Sequence, residues 1–340
     1  MTDATSPSDA AAHTALTGVG VARLREGPWR VVVVGAGGWL GLATLDLLHG
    51  LFGERFPERV KCFGSGARTL ELRGGLRVGQ QPLSRVAELS ASPTLVLHLA
   101  FLTQEKAKAM PQADYMAANR GISAAVLESL DRIGAEGVFL PSSGAVYMTD
   151  RLEAQASMRL YGRLKLEDEA AFAEWSQGRH KRAVIARVFN LSGPYINKQS
   201  SYALACFIAD ALAGRPIEIR ATRPVLRSYV AISELMSVVF GALTDGEAGP
   251  VLFDTAGDDV YEMDGIAAVV REALGHSQGV RRSVLTESEP DRYTGDGALY
   301  KRLRDHFAVQ PVGFARQVLE TSRFMADPPE ARAHRAPARQ

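Results

Sequence analysis

A chain of 340 residues has room for one large or two ordinary domains with a substantial buried core. Apolar residues make up 46% and charged residues 23%, the balance of a soluble globular protein. A formal net charge of +1 gives no general attraction to nucleic acid or to an anionic membrane, so any anion site must be argued from local residues.

Residues 1–28 are rich in Ala, Thr, Ser and Asp, without a basic start or a continuous apolar run, and read as a flexible leader rather than a signal peptide. The run Arg30-Val31-Val32-Val33-Val34 predicts a buried parallel strand over 30–34. It leads into Gly35-Ala36-Gly37-Gly38-Trp39-Leu40-Gly41, after which apolar spacing predicts a helix over 39–52. Gly35, Gly38 and Gly41 allow a tight turn, close backbone approach to a pyrophosphate and tight helix packing, with phosphates at the helix N-terminus. Asp46 and His49 interrupt this stretch, and no window is apolar for long enough to span a bilayer.

Further strands are predicted at 59–63, 94–99, 137–141 and 183–189 and near 251–254. Helices are predicted at 113–132, 160–176, 201–213, 231–243, 262–274 and 312–325. This alternation is that of an α/β fold, a Rossmann-type doubly wound parallel sheet. Its third strand should fall at 74–79, where Gly74-Gly75-Leu76-Arg77-Val78 is a poor strand. A nucleotide-binding domain is thus expected over 29–190. From 191 onward Pro194, Pro216 and Pro224 punctuate the chain and helices predominate. That predicts a smaller, mostly helical region over 191–326, capping the sheet's C-terminal edge, with some segments returning to the sheet. The Pro-, Ala- and Arg-rich end, 327–340, reads as a disordered tail. Cys62 and Cys206 read as buried free thiols, which fits a cytoplasmic compartment.

Two groups carry chemistry. Ser142 and Ser143 end the 137–141 strand, where such sheets place ligands. In Tyr161-Gly162-Arg163-Leu164-Lys165 a spacing of four puts a phenol and an ammonium on one helix face.

Together these residues resemble the extended short-chain dehydrogenase/reductases, in particular the NAD(P)-dependent nucleotide-sugar epimerase/dehydratase group, over roughly 30–325. The resemblance rests on Gly35, Gly38 and Gly41; on His98-Leu99-Ala100; on Asn119; on Ser143; and on Tyr161 with Lys165. It continues through Phe189-Asn190-Leu191-Ser192-Gly193-Pro194, Arg227-Ser228-Tyr229-Val230 and Arg292-Tyr293-Thr294-Gly295-Asp296. It implies a cofactor site at Gly35, Gly38, Trp39, Leu40, Gly41, Leu99, Ala100, Tyr161 and Lys165, and catalysis by Ser143, Tyr161 and Lys165. Asn119 would support the lysine through water, although the family glycine three residues later is Ile122 here. Ser143, Asn190, Arg227 and Arg292 would face the substrate, the arginines on its diphosphate. A homodimer formed by the helices at 113–132 and 160–176 is also implied, and their residues Ala124, Leu127, Leu130, Leu164, Phe172 and Trp175 spread over more than one face. His98 reads as a packed residue rather than a base, and Tyr147 as a core aromatic.

A free tyrosine has a pKa of about 10 and is a poor base near neutrality. The Lys165 ammonium and an oxidised nicotinamide would both favour its phenolate. Three departures qualify the resemblance. Gly144 and Ala145 stand where the group's dehydratases carry an Asp-Glu pair, so elimination of water lacks its acid and base. The second strand ends in Gly64-Ser65-Gly66-Ala67-Arg68, with no carboxylate for the adenosine ribose; Ser65 and Arg68 instead suit a 2′-phosphate and favour NADP over NAD. The stretch 148–160 lacks the usual proline-rich loop. The expected activity is oxidation or reduction of a nucleotide-linked sugar, as an epimerase or a ketoreductase. Reduction of a non-sugar carbonyl with NADPH and a non-catalytic cofactor-binding regulator are the alternatives.

Overall fold

In the computed structural model, which describes residues 15–327, the four-valine run forms the first strand, β1 (Arg30–Val34). Val31 and Val33 enter the core on one face of the sheet, Val32 and Val34 the core on the other. All four are fully buried, as a central strand covered by helices on both faces requires. Beside it lie β2 (Val60–Gly64), β3 (Arg68–Glu71), β4 (Arg77–Pro82), β5 (Thr94–His98), β6 (Ala135–Ser143) and β7 (Arg182–Val188). Short strands follow: β8 (Leu191–Ser192), β9 (Ile217–Ile219), β10 (Val225–Arg227) and β11 (Val230–Ala231). Then β12 (Gly249–Asp254) returns to the far edge of the main sheet.

The strand order is β12-β7-β6-β5-β1-β2-β4-β3, parallel except for the β3–β4 pair. This is the expected doubly wound sheet. β1 lies between β2 and β5, so the strand order reverses beside it and opens a crevice at the C-terminal strand ends. The third strand differs from expectation. Gly74 and Gly75, with φ of 77° and 80°, make a turn, and β4 begins only at Arg77. The unexpected β3 pairs antiparallel with it at the edge.

Helices cover both faces: α1 (Val19–Glu26), α2 (Trp39–Phe52), α3 (Phe56–Arg59), α4 (Gln104–Ala109), α5 (Gln112–Leu130), α6 (Ala156–Arg179), α7 (Ala203–Leu212), α8 (Ile232–Asp245), α9 (Met263–Ala273), α10 (Ala298–His306) and α11 (Phe314–Ala326). Val126 and Leu130 of α5 pack with Phe172 and Trp175 of α6 on the Val32 face. Leu130, Leu164, Phe172 and Trp175 are therefore consumed inside one chain, not left over for a second surface. On the opposite face α8 is buried from Ile232 to Thr244. Its one carboxylate in that span, Glu234, accepts from Tyr300, Arg304 and the Val312 amide.

In the C-terminal region helices α7 to α11 predominate, as expected, with small sheets among them. β10 pairs with β13 (Tyr261–Glu262) and β15 (Asp291–Tyr293), and β9 with β14 (Val280–Arg282). Leu204, Phe207, Ile266, Val270, Phe314 and Val318 close its separate core. Both cysteines are free, Cys62 buried and Cys206 half-buried. Among the described residues no helix is long and apolar enough to cross a membrane.

The flexible-leader expectation fails for residues 19–26. In α1, Val21 and Leu24 fall one turn apart and are buried, and Gly20 meets Gly241 of α8 backbone to backbone. Two glycines at the crossing allow an approach that no larger pair permits. Residues 1–14 and the expected tail beyond Asp327 lie outside the described residues. Gly20→Val should therefore lower unfolding stability by about 1–3 kcal/mol through overpacking. An unchanged denaturation midpoint would show that this helix is not part of the folded core.

Candidate active site

The glycine turn sits where β1 and β5 end side by side. Gly35 has φ 88°, and a Cβ there would come 2.6 Å from the Ala100 amide and 2.7 Å from the Leu99 carbonyl carbon. The turn and the Leu99-Ala100 segment thus pack without side chains between them. Gly38 caps α2 with no side-chain acceptor, so the first amides of this helix, at Trp39, Leu40 and Gly41, are left for a ligand. A Cβ at Gly38 would meet only the Gly35 carbonyl, at 3.4 Å. Its bareness is therefore not a packing requirement, which fits a close-lying phosphate. The exposed Arg68 reaches across from β3 and lays its guanidinium against Gly37, with exposed Ser65 in the preceding loop. Trp39 donates to the Pro194 carbonyl at 2.8 Å and packs on Tyr202, tying the turn to the C-terminal region.

Ser143 closes β6, and its hydroxyl accepts from the Ala145 amide at 3.2 Å. α6 presses on the next turn: a Cβ at Gly162 would collide with the Ala145 carbonyl. That contact brings Tyr161 toward Ser143, close enough for the serine to favour its phenolate. Burial pushes the Tyr161 phenol above its ordinary value, Tyr293 adds to the rise, and Ser143 opposes it. Lys165, one turn on, is 4% exposed; its ammonium donates to the Pro141 carbonyl at 2.9 Å and lies 3.8 Å from the Phe101 ring centroid. Burial pushes it down to about 8, against the pull of Asp168 and Glu169. In this arrangement desolvation governs both groups, and the ammonium is turned to Pro141 and Phe101, 5.9 Å from the Tyr161 ring centroid.

Asn119 is buried in α5, and its carboxamide serves the backbone: Oδ1 accepts from Leu102 at 2.8 Å and Nδ2 donates to the Tyr115 carbonyl. Tyr115 donates to the Leu102 carbonyl at 2.6 Å. Together they pin the loop that carries Phe101 edge-on to Tyr161. His98 is packed as expected, pushed down to about 3 by burial and then by Lys165. Tyr147 is not core: it is 47% exposed and bonds Asp254 and Arg187.

Asn190 donates to the carbonyls of Ser228 and Tyr293, so it fixes backbone around the site. Arg227 lines a cleft of about 700 Å³ with Asn190, Tyr202, Phe207, Arg220 and Tyr229, but its guanidinium is already paired with Asp291 at 2.8 Å. Arg292 is not brought in. It is exposed and bonds Thr294, because strand alternation sends its neighbour Tyr293 inward instead. Tyr293 lies 3.4 Å from the Ser143 hydroxyl, hydroxyl to hydroxyl, and packs on Phe189. The alternation in Asp291-Arg292-Tyr293 says that these neighbours face opposite ways, but not which of them turns inward.

The residues present fit a dinucleotide, with bare helix amides, an approachable Gly38 and an arginine over the turn. Residues 31–253 match the NAD dependent epimerase/dehydratase family. UDP-glucuronic acid decarboxylase 3 of Arabidopsis thaliana is 26% identical over 107 residues, 32% of this chain and 30% of that protein's length. UDP-N-acetylglucosamine 4-epimerase from Methanobrevibacter ruminantium, solved with UDP-N-acetylmuramic acid, superposes with a TM-score of 0.66 at 17% identity, covering 87% of this chain and 98% of that one. UDP-glucose 4-epimerase of Thermus thermophilus, solved with NAD, gives 0.62 at 19% identity over 88% and 99%. A glycine turn at a sheet crevice, a Ser-Tyr-Lys cluster beside it and a family match over most of the chain agree: the chain belongs to the NAD dependent epimerase/dehydratase family.

Proposed function

We propose that this protein oxidises and re-reduces, or reduces, one carbon of a nucleotide-linked sugar, as an epimerase or ketoreductase. The observation that carries this reading is the seating of α6 at Gly162 on the Ala145 carbonyl, which brings Tyr161 beside Ser143 at the end of β6, with Lys165 one helical turn away. A bound nicotinamide supplies the hydride acceptor or donor. Tyr161 takes the proton from the sugar hydroxyl, or returns it to the forming alkoxide. Ser143 hydrogen-bonds the same oxygen and fixes its position. Lys165 orients the cofactor ribose and brings positive charge toward the phenol. Since the Phe101 ring now faces its ammonium, cofactor binding has to displace that ring.

The nucleotide fits the 700 Å³ cleft beside Asn190 and Arg227. Relatives named for UDP-sugars support a nucleotide-sugar substrate. With Gly144 and Ala145 beside Ser143, the site offers no carboxyl pair for dehydration. Arg68 over the glycine turn favours NADP, while the neighbour solved with its cofactor holds NAD. A homodimer would use the outer face of α5 and α6, where Leu166 is exposed beside the Arg120–Glu167 pair.

Tyr161→Phe keeps the ring and removes the proton-transfer group. Cofactor should still bind, while turnover of any accepted sugar nucleotide falls at least about 10²–10⁴-fold. Near wild-type turnover would end this mechanism. Arg68→Ala should weaken NADP binding far more than NAD binding, a charge-assisted contact being worth about 1.5–3 kcal/mol. Equal losses in calorimetry would remove the NADP preference. Light scattering at micromolar concentration should give a dimer mass, and a monomer mass would contradict the two-fold pairing.

A further inference from the structure

Lys165 and Asp168 are three residues apart on α6 and share one face of the helix. Both are interior, 4% and 6% exposed. The next residue, Glu169, is buried too, but its charge is taken up: Arg187 grips both its oxygens at 2.9 and 2.7 Å, and Ser142 donates to it. Asp168 has no such cation. Among the described residues it forms no ion pair, and its Oδ2 is buried without a partner; the nearby Ser123 hydroxyl favours its charged form.

Ser123 has a single proton to give. If it donates to the Asp168 carboxylate, then His98, whose Nε2 lies 3.4 Å from the Ser123 oxygen, must be the donor in that contact. His98 is then a neutral imidazole with a bare Nδ1 acceptor, and Nδ1 is indeed buried without a partner. His98 and Ser123 thus lie in line behind a buried carboxylate on the lysine face of α6.

We infer that Asp168 is a positioning residue for Lys165: its interior carboxylate, held by Ser123 and His98, supplies the counter-charge that keeps the lysine an ammonium in the closed site. This rests on the reading of Lys165 as the residue that serves cofactor and tyrosine. A lone ammonium in so dry a place is expensive, and burial already pulls Lys165 down to about 8, with Asp168 the foremost opposing charge. Reciprocally, burial raises the Asp168 carboxyl, Lys165 and Ser123 hold it down, and Glu167 adds to the rise. The other groups around the lysine do not substitute for it. Tyr161 and His98 are neutral, Phe101 offers a ring face, Pro141 a carbonyl, Asn119 and Ser142 are engaged elsewhere, and Glu169 is neutralised by Arg187.

The test is the titration of Lys165 by NMR in protein labelled at lysine Cε, with the signal identified by its loss in Lys165→Arg. Asp168→Asn should lower the Lys165 midpoint by about one pH unit or more, and Asp168→Glu should keep it near wild type. An unmoved midpoint in folded Asp168→Asn overturns the proposal. Should that variant fail to fold, Ser123→Ala keeps the carboxylate but frees it from its donor. A fall in the same direction supports the assignment, and no fall overturns it. Calorimetry with NADP and NAD across pH 6–9 adds the functional readout: affinity should decline with rising pH about one unit earlier in Asp168→Asn. A purely structural residue would lower affinity equally at every pH, and that result also overturns the proposal. If the wild type binds neither dinucleotide, the reading of Lys165 as cofactor-binding fails, while the NMR titration still decides the role of Asp168.

Discussion

The close seating of α6 on the end of β6 is the constraint from which the site follows. Gly162 has no Cβ, so the helix backbone comes down on the Ala145 carbonyl, and Tyr161 comes beside Ser143. The same seating drives Lys165, Asp168 and Glu169 into the interior, where each charge needs an answer. A side chain at 162 would lift the helix and loosen phenol, ammonium and carboxylates together. The geometry of the candidate site and the interior electrostatics therefore have one cause.

How those charges are answered links the sheet to the C-terminal region. Glu169 pairs with Arg187 of β7, Arg187 also donates to Tyr147, and Tyr147 donates to Asp254 at the end of β12. Asp254 in turn accepts from the Asp296 amide, just past the strand that carries Tyr293. The Arg187–Glu169 pair is the buried part of this chain, and removing either member would leave an uncompensated interior charge, which is far costlier than losing a surface pair. The network holds the far edge of the sheet against the segment that delivers Tyr293 to Ser143.

The glycine turn is organised by backbone and the cleft beside it by side chains. Around Gly35 and Gly38 the chain offers bare amides and carbonyls, so almost any change there would be felt directly by a bound phosphate. At the cleft Asn190 and Arg227 are each already tied to a neighbour, and beside Ser143 so is Tyr293. A site built this way holds its shape before ligand arrives, which lowers the ordering cost of binding. Phe101 is the exception, since its ring occupies the ammonium that the cofactor would need.

Local pattern was enough for β1, the glycine turn, the helices α2, α5 to α9 and α11, and the spacing of Tyr161 and Lys165, because strand alternation, helical periodicity and the glycine requirement of a tight turn act over a few residues. It was enough, too, to place Ser143 at a strand end near that pair. It was not enough for α1, whose composition looks loose and whose order comes from a glycine contact with α8, more than two hundred residues away. Nor could it separate Arg292 from Tyr293, since which face of a short strand turns inward depends on the partner strand β10. Asp168 shows the difference most clearly. In the sequence it is one of three acids in the four residues following a lysine; its significance comes from Arg187, Ser123 and His98, brought in from other strands and helices, which leave it the unpaired carboxylate beside a buried ammonium. Periodicity reports what a residue's neighbours along the chain demand, whereas burial and charge pairing are set by neighbours that only folding supplies.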